Sequence, residues 1–236
     1  MKLRIEKESI DFRKRYGYSS SAPINLNSLL IHLNVIAVFK PLSDTFSGMA
    51  VKYEDSKFML INSNHSIGRQ NFSICHELYH LYIQDNFNHH HSSCSNFDKS
   101  DKNEYMADLF ASYLLMPKNG IINLIPDKEL EKDKINLDTI IKLEHYFSCS
   151  RSALLRRLQE LGILSKKKSE NYNSNIKMSA RNRGYLEDLY NPGNEGLIIG
   201  DFGSIAKNLY DSEKISEGHY IENLSIIGID PFSENQ

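Results

Sequence analysis

Cysteine is scarce in this chain. The three present, Cys75, Cys94 and Cys149, are widely spaced and never form a C-x-x-C pair. An odd, scattered set excludes a disulfide framework and a cysteine-type zinc knuckle, and free thiols without an export signal suit a reducing cytoplasm. An excess of one charge is lacking too. The formal net charge of -2 gives no global pull toward nucleic acid or an anionic membrane, so nucleic-acid binding would need a local basic patch. No apolar run approaches the roughly 20 residues that span a bilayer. The N-terminal stretch MKLRIEKESIDFRKRYGYSS alternates charge with isolated apolar residues and has no apolar h-region, so no signal peptide is expected there. What is present is a 236-residue chain, 40% apolar and 25% charged, with room for one sizeable core and a smaller appendage.

Hydrophobic spacing sets out the elements. A helix is expected after Asn25, with Leu26, Leu29, Leu30 and Leu33 at helical spacing. Strands are expected at Val35 to Phe39, Gly48 to Tyr53 and Lys57 to Ile61, the last two joined by a turn at Glu54, Asp55 and Ser56. From Arg69 to about Asp85 the pattern is helical, with Phe72, Cys75, Leu78, Tyr79 and Tyr82 on one side. A polar, histidine-rich loop follows over Asn86 to Lys99. The next helix, Lys102 to Met116, is apolar nearly all round, as expected of an interior helix, and Pro117 stops it. Two helices are read within 135 to 162, with Ser150 as N-cap of the second and Gly162 at its C-terminal end. The division expected is a lead-in at 1–24, a main domain at 25–164, a polar linker at 165–184 and an extension at 185–236. The extension carries a strand-like run at Leu197 to Ile199 and helices near Ser204 to Tyr210 and Ser216 to Leu224.

The chemistry is concentrated in His76-Glu77-Leu78-Tyr79-His80, an H-E-x-x-H segment. Four residues turn a helix through about 400°, so the two imidazoles lie one above the other on one face. That separation lets both reach one zinc ion, which favours four-coordinate nitrogen and oxygen donors. Glu77 is rotated about 100° away, poorly set as a ligand but able to reach a water at an open coordination position and take its proton. A third ligand is needed, and Glu104 on the following helix is the candidate. Asp108, four residues later on the same face, is expected to accept a hydrogen bond from a ligand histidine. Asp101-Lys102-Asn103-Glu104 also fits a capping box, but that leaves Asp108 unexplained, whereas a metal site accounts for both carboxylates. A purely structural zinc is disfavoured because no cysteine is spaced to supply a fourth ligand. Other divalent metals suit imidazole and carboxylate donors as well.

Arg69-x-x-Phe72-x-x-x-His76-Glu77-x-x-His80, followed by Glu104-x-x-Ala107-Asp108-x-Phe110-Ala111-x-x-Leu114-Leu115-Met116-Pro117, resembles the ImmA/IrrE family of metallopeptidases. The likeness extends from the Gly48 hairpin to Phe147-Ser148-Cys149-Ser150 and Arg157-Leu158-x-x-Leu161-Gly162. It implies His76, His80 and Glu104 as zinc ligands and Glu77 as catalytic base. The implied fold is an α+β, zincin-like domain of the gluzincin type, mainly helical with a small sheet, plus the small C-terminal extension. It also implies a protein substrate, a helix-turn-helix repressor, as members of the family typically relieve repression by cleaving one; some belong to toxin–antitoxin-like pairs. Cys75 departs from the small residue common before the first ligand and is read as a buried thiol pointing away from the metal face. No DNA-binding helix-turn-helix is read ahead of the peptidase region, and direct nucleic-acid binding is not expected.

Three further features have ordinary readings. The run His89, His90 and His91 is taken as a solvated loop rather than a second metal site. Arg151, Arg156 and Arg157 invite a DNA-binding reading, but the leucines between them mark a packed helix with its arginines outward. Lys166, Lys167 and Lys168 are read as a solvated charge run. Two functional classes remain: an endopeptidase acting on a regulatory protein, and a zinc-bound module that sequesters its partner without cutting it. No oxyanion-stabilising residue is assigned.

Overall fold

In chain order, helices α1 (Lys2–Arg15) and α2 (Leu26–His32) precede strands β1 (Val35–Lys40), β2 (Gly48–Tyr53) and β3 (Ser56–Asn62). Helix α3 (Ile67–Tyr82), the short strand β4 (His89–His90), α4 (Lys102–Leu115) and α5 (Lys118–Leu124) follow. Then come α6 (Leu137–Phe147), α7 (Arg151–Glu160), α8 (Lys166–Glu170), α9 (Ile176–Arg181), β5 (Ile198–Ile199), α10 (Phe202–Asp211) and α11 (Glu217–Ile226). This is a computed structural model, and it describes residues 1–85, 87, 89–90, 101–226 and 228. Cys94, His91 and most of the polar loop expected over 86–99 therefore lie outside the described residues.

The fold is mixed α/β. Alternating apolar residues form a five-stranded sheet in the order β4-β2-β3-β1-β5. β1 and β3 run parallel, with Val35 opposite Lys57, whereas β2 and β3 form an antiparallel hairpin closed at Tyr53 and Ser56. Glu54 takes φ 50° in the two-residue turn, the positive backbone angle that tight hairpins require. Val35, Ala37, Phe39, Ala50, Met59 and Ile61 belong to the core, at the period-two spacing that points one face of a sheet toward the helices. β5 pairs antiparallel with β1, tying the region after residue 190 to the sheet.

Helix α4 runs through the middle of the helical layer, and every residue from Ala107 to Leu115 is buried. α3 packs along one side and α1 along another, where the Phe12 ring meets Phe110 edge-on at 5.6 Å. The last turn of α4 contains no basic residue of its own, yet its carbonyls need donors. Arg13 of α1 supplies two bonds to the Leu114 carbonyl, from Nε at 3.0 Å and Nη2 at 2.5 Å. Arg157 of α7 donates to the Met116 carbonyl at 3.3 Å. The N-terminal segment is thus helical, and its buried stripe of Ile5, Ser9, Phe12 and Arg13 includes two polar residues.

The arginines of α7 depart from the outward placement expected of them. Arg151 and Arg157 are buried, and only Arg156 is exposed. Arg151 pairs with the fully buried Glu144 of α6, through Nε and, at 3.0 Å, through Nη2; its Nη1 donates to the Tyr172 carbonyl at 2.8 Å. Tyr190 donates to the same Glu144 at 2.6 Å. Residues 165–184 have no apolar periodicity, but they fold as α8 and α9 and are fastened by such polar contacts, including Tyr172 to the Ile135 carbonyl at 2.8 Å.

This pair yields a stability prediction. Arg151→Met strands the Glu144 charge in the interior and should cost about 3–5 kcal/mol, read from urea unfolding curves. A loss well under 1 kcal/mol would show that the pair does not hold α6, α7 and the 165–190 segment together.

Candidate metal centre

The H-E-x-x-H segment occupies the last two turns of α3, all of it buried: His76 is 1% exposed, Glu77 1% and His80 0%. The start of α3 is seated by Gly68, where an added Cβ would lie 2.7 Å from Ser150 N, so only glycine lets the helix approach the α6–α7 junction this closely. Asn71 donates to the Ser148 carbonyl at 2.8 Å across the same contact. The Phe147-Ser148-Cys149-Ser150 stretch is therefore the floor on which the histidine helix rests. Cys75 faces the α1 side near Arg13, and burial pushes its thiol up to about 12, leaving it an inert core group.

Glu104 reaches the two histidines from the first turn of α4. Asp101 caps that helix, accepting from Asn103 N at 2.8 Å and Glu104 N at 3.3 Å. The Glu104 carboxylate turns to the imidazoles, with Oε2 3.2 Å from His76 Nε2 and Oε1 3.3 Å from His80 Nε2. The two Nε2 atoms are themselves 3.2 Å apart. Donors at 2.0–2.1 Å from a tetrahedral ion are separated by about 3.3 Å; the two Nε2 atoms have that spacing, and each has one oxygen of the Glu104 carboxylate at a similar distance.

The remaining ring nitrogens decide what this triangle holds. His76 Nδ1 lies 3.0 Å from Asp108 Oδ1, and His80 Nδ1 lies 2.5 Å from Gln84 Oε1. With both Nδ1–H groups donating outward, a neutral imidazole keeps its lone pair on Nε2. Two lone pairs and a carboxylate then converge with no proton among them. Buried Glu104 Oε1 also has no aligned hydrogen-bond partner among the described residues, although His80 is close. Burial by itself would raise the Glu104 pKa. When the imidazoles are protonated instead, their hydrogen bonds to the carboxylate and then their charge outweigh burial and hold the carboxyl well below the usual carboxylate range, so positive charge at this point is what the carboxylate answers to. The group calls for a cation, and its donors fit a divalent metal.

Glu77 lies on the sheet side of α3. Its Oε1 is 3.3 Å from where a Cβ on Gly48 would sit, so the glycine that opens β2 leaves space for the carboxylate. The loop leading to Gly48 is held by buried Asn62, which accepts from Leu42 N at 3.0 Å and donates to the Phe46 carbonyl at 2.7 Å. Arg69, two turns before His76 on the same helix face, donates to Ser47 Oγ at 3.1 Å.

The structure brings His76, His80, Glu104 and Asp108 together, with Glu77 beside them. Gln84 escaped the sequence reading. Its signal was the spacing alone, since it stands four residues after His80 as His80 stands four after His76. The backbone of His89 and His90 forms β4 against Val51 and Ala50 of β2.

Two histidines one helical turn apart, closed by a carboxylate from the next helix, define the donor set of a metallopeptidase-type centre. Residues 35–159 match the IrrE N-terminal-like domain, a peptidase family; the match covers more than half of the chain, which belongs to that family. It runs from the first strand to the helix of Arg151 and Arg157, and so takes in every residue of the site. No curated protein matches the chain. Among the described residues no helix is long and apolar enough to cross a membrane.

Elemental analysis with chelator competition tests the donor set. The wild type should hold about one zinc per chain, and Glu104→Ala should lose it. Asp108→Asn, which still occupies its place but accepts more weakly, should bind about 10–100-fold less tightly. Undiminished zinc in Glu104→Ala would remove the carboxylate from the ligand set.

Proposed function

We propose that the protein is a zinc-dependent endopeptidase that hydrolyses a peptide bond in one regulatory protein, a helix-turn-helix transcriptional repressor in the cytoplasm. The observation that carries this reading is the convergence of His76 Nε2, His80 Nε2 and Glu104 within 3.2–3.3 Å of one another, with Glu77 buried beside them. In this reading the peptidase domain is zincin-like, occupies 25–164, and is joined through 165–184 to an extension at 185–236. Zinc is favoured over harder divalent ions by a donor set of two imidazoles and one carboxylate. The repressor as substrate rests on the resemblance carried by the two metal motifs and the Leu-Leu-Met-Pro helix end.

His76, His80 and Glu104 would hold the ion, and Asp108 would fix the His76 ring as its Nδ1–H tautomer. Bound zinc would supply an acidified water near neutral pH and an electrophilic pull on the scissile carbonyl. Glu77, about 100° around α3 from His76, would take the proton from the attacking water and return it to the departing amine nitrogen. Its seat against Gly48 keeps the carboxylate on the sheet side of α3. Glu104 is the most open of the three ligands, at 18% exposure against 1% and 0% for the histidines, so substrate would approach from the α4 side.

Glu77→Gln separates cleavage from binding. It should retain zinc and lower the cleavage rate by about 10²–10⁴-fold, the range for loss of a general base. The measurement is a census of new protein N-termini in cells expressing wild type or variant. The expected result is a new terminus within a helix-turn-helix repressor in the wild type alone. A repressor bound equally by both forms and cut by neither would replace the endopeptidase with a sequestering module.

A further inference from the structure

We infer that Gln84 is a positioning residue for the metal centre: it fixes the ring of His80 as Asp108 fixes that of His76. The inference rests on the proposed reading of the site as a zinc centre and assigns this residue a role within it. His80 Nδ1 lies 2.5 Å from Gln84 Oε1, the shorter of the two contacts that the ligand imidazoles make through their Nδ1 atoms. A side-chain amide can offer either its oxygen or its NH₂ to a ring. Only the oxygen leaves His80 Nε2 with a lone pair. With the NH₂ inward, Nδ1 would be the acceptor and Nε2 would carry the proton, facing Glu104 and unable to bind a metal.

The end of α3 is shaped for this contact. Both Ile83 N and Gln84 N point to the Tyr79 carbonyl, at 2.8 and 2.9 Å, so the last turn widens as the helix closes. Position 84 remains one turn beyond position 80 on the same side, and its amide folds back onto the ring. Phe87 lies beside His80, with ring centroids 5.6 Å apart and the planes 31° from parallel. The Phe87 ring and the Gln84 amide thus both restrain the imidazole.

Gln84 also lines a cavity of about 490 Å³ between α1, the end of α3 and the start of α4, which Arg4 and Lys102 share. Glu8 and Asp85 line it as well, so the charges there balance, and a carboxylate at this position would have space. This makes Gln84→Glu a workable conservative variant, one that keeps the acceptor and adds charge. Gln84→Met keeps the length of the side chain and removes the acceptor.

Zinc affinity of the full chain, measured by competition with a chromophoric chelator, tests the assignment without any cleavage assay. Thermal unfolding of the metal-free forms serves as the control. Gln84→Met should bind zinc about 10–100-fold more weakly than wild type with unchanged unfolding of the metal-free protein, and Gln84→Glu should restore the affinity. Wild-type affinity in Gln84→Met would overturn the role of Gln84 and leave the zinc centre standing. Equal losses in both variants, with destabilised metal-free protein, would overturn it in favour of simple helix-end packing. A wild type that binds no zinc would overturn the proposed function itself, and this assignment with it.

Discussion

Two imidazole lone pairs and a carboxylate directed at one another inside an apolar interior are unstable company. Burying such groups is costly unless a positive charge joins them. In this protein they come from two helices, α3 and α4, that are otherwise packed as core. The cost explains details that packing leaves open. Asp108 sits at 3% exposure in a run of leucine, phenylalanine and alanine because it answers His76. Gln84 folds back onto His80 for the same reason. Metal affinity and the stability of the α3–α4 contact are then one quantity seen from two sides.

Everything around that contact keeps the two helices in place. Gly68 lets α3 rest on the backbone of Cys149 and Ser150. Arg13 and Arg157 reach from α1 and α7 to the carbonyls at the end of α4, fixing the helix that carries Glu104. On the sheet side, Asn62 and Arg69 hold the loop that delivers Gly48 to Glu77. The peptidase-family match ends at residue 159, but the network that fixes α6 and α7 continues through Tyr172 and Tyr190. The region beyond the match is therefore physically continuous with the domain.

The grouping of the candidate site was legible because its chemistry imposes a period. His76 with His80, and Glu104 with Asp108, stand one helical turn apart, and two carboxylates on one face of an apolar helix need cations or donors to answer them. The same held for the hairpin, where alternation and a polar turn coincide. Elements held by polar contacts were not legible. α1 buries a serine and an arginine in its stripe, and α8 and α9 bury little apolar surface. Arg151 and Arg157 read as surface charges because a sequence does not show that Glu144 and the Met116 carbonyl await them. Gln84 was missed for a related reason, since an amide carries no charge or hydrophobicity to mark it.

In the proposed reading, one metal ion joining α3 to α4 through His76, His80 and Glu104 is the feature on which the function depends. X-ray absorption at the zinc edge, on protein purified without added metal and then supplied with one equivalent, tests it most directly. The expected result is a four-coordinate centre with two imidazole nitrogens and an oxygen shell at about 2.0–2.2 Å. The imidazole signal should be halved in His80→Ala. A sulfur shell, an octahedral all-oxygen environment, or a spectrum unchanged by that substitution would contradict it.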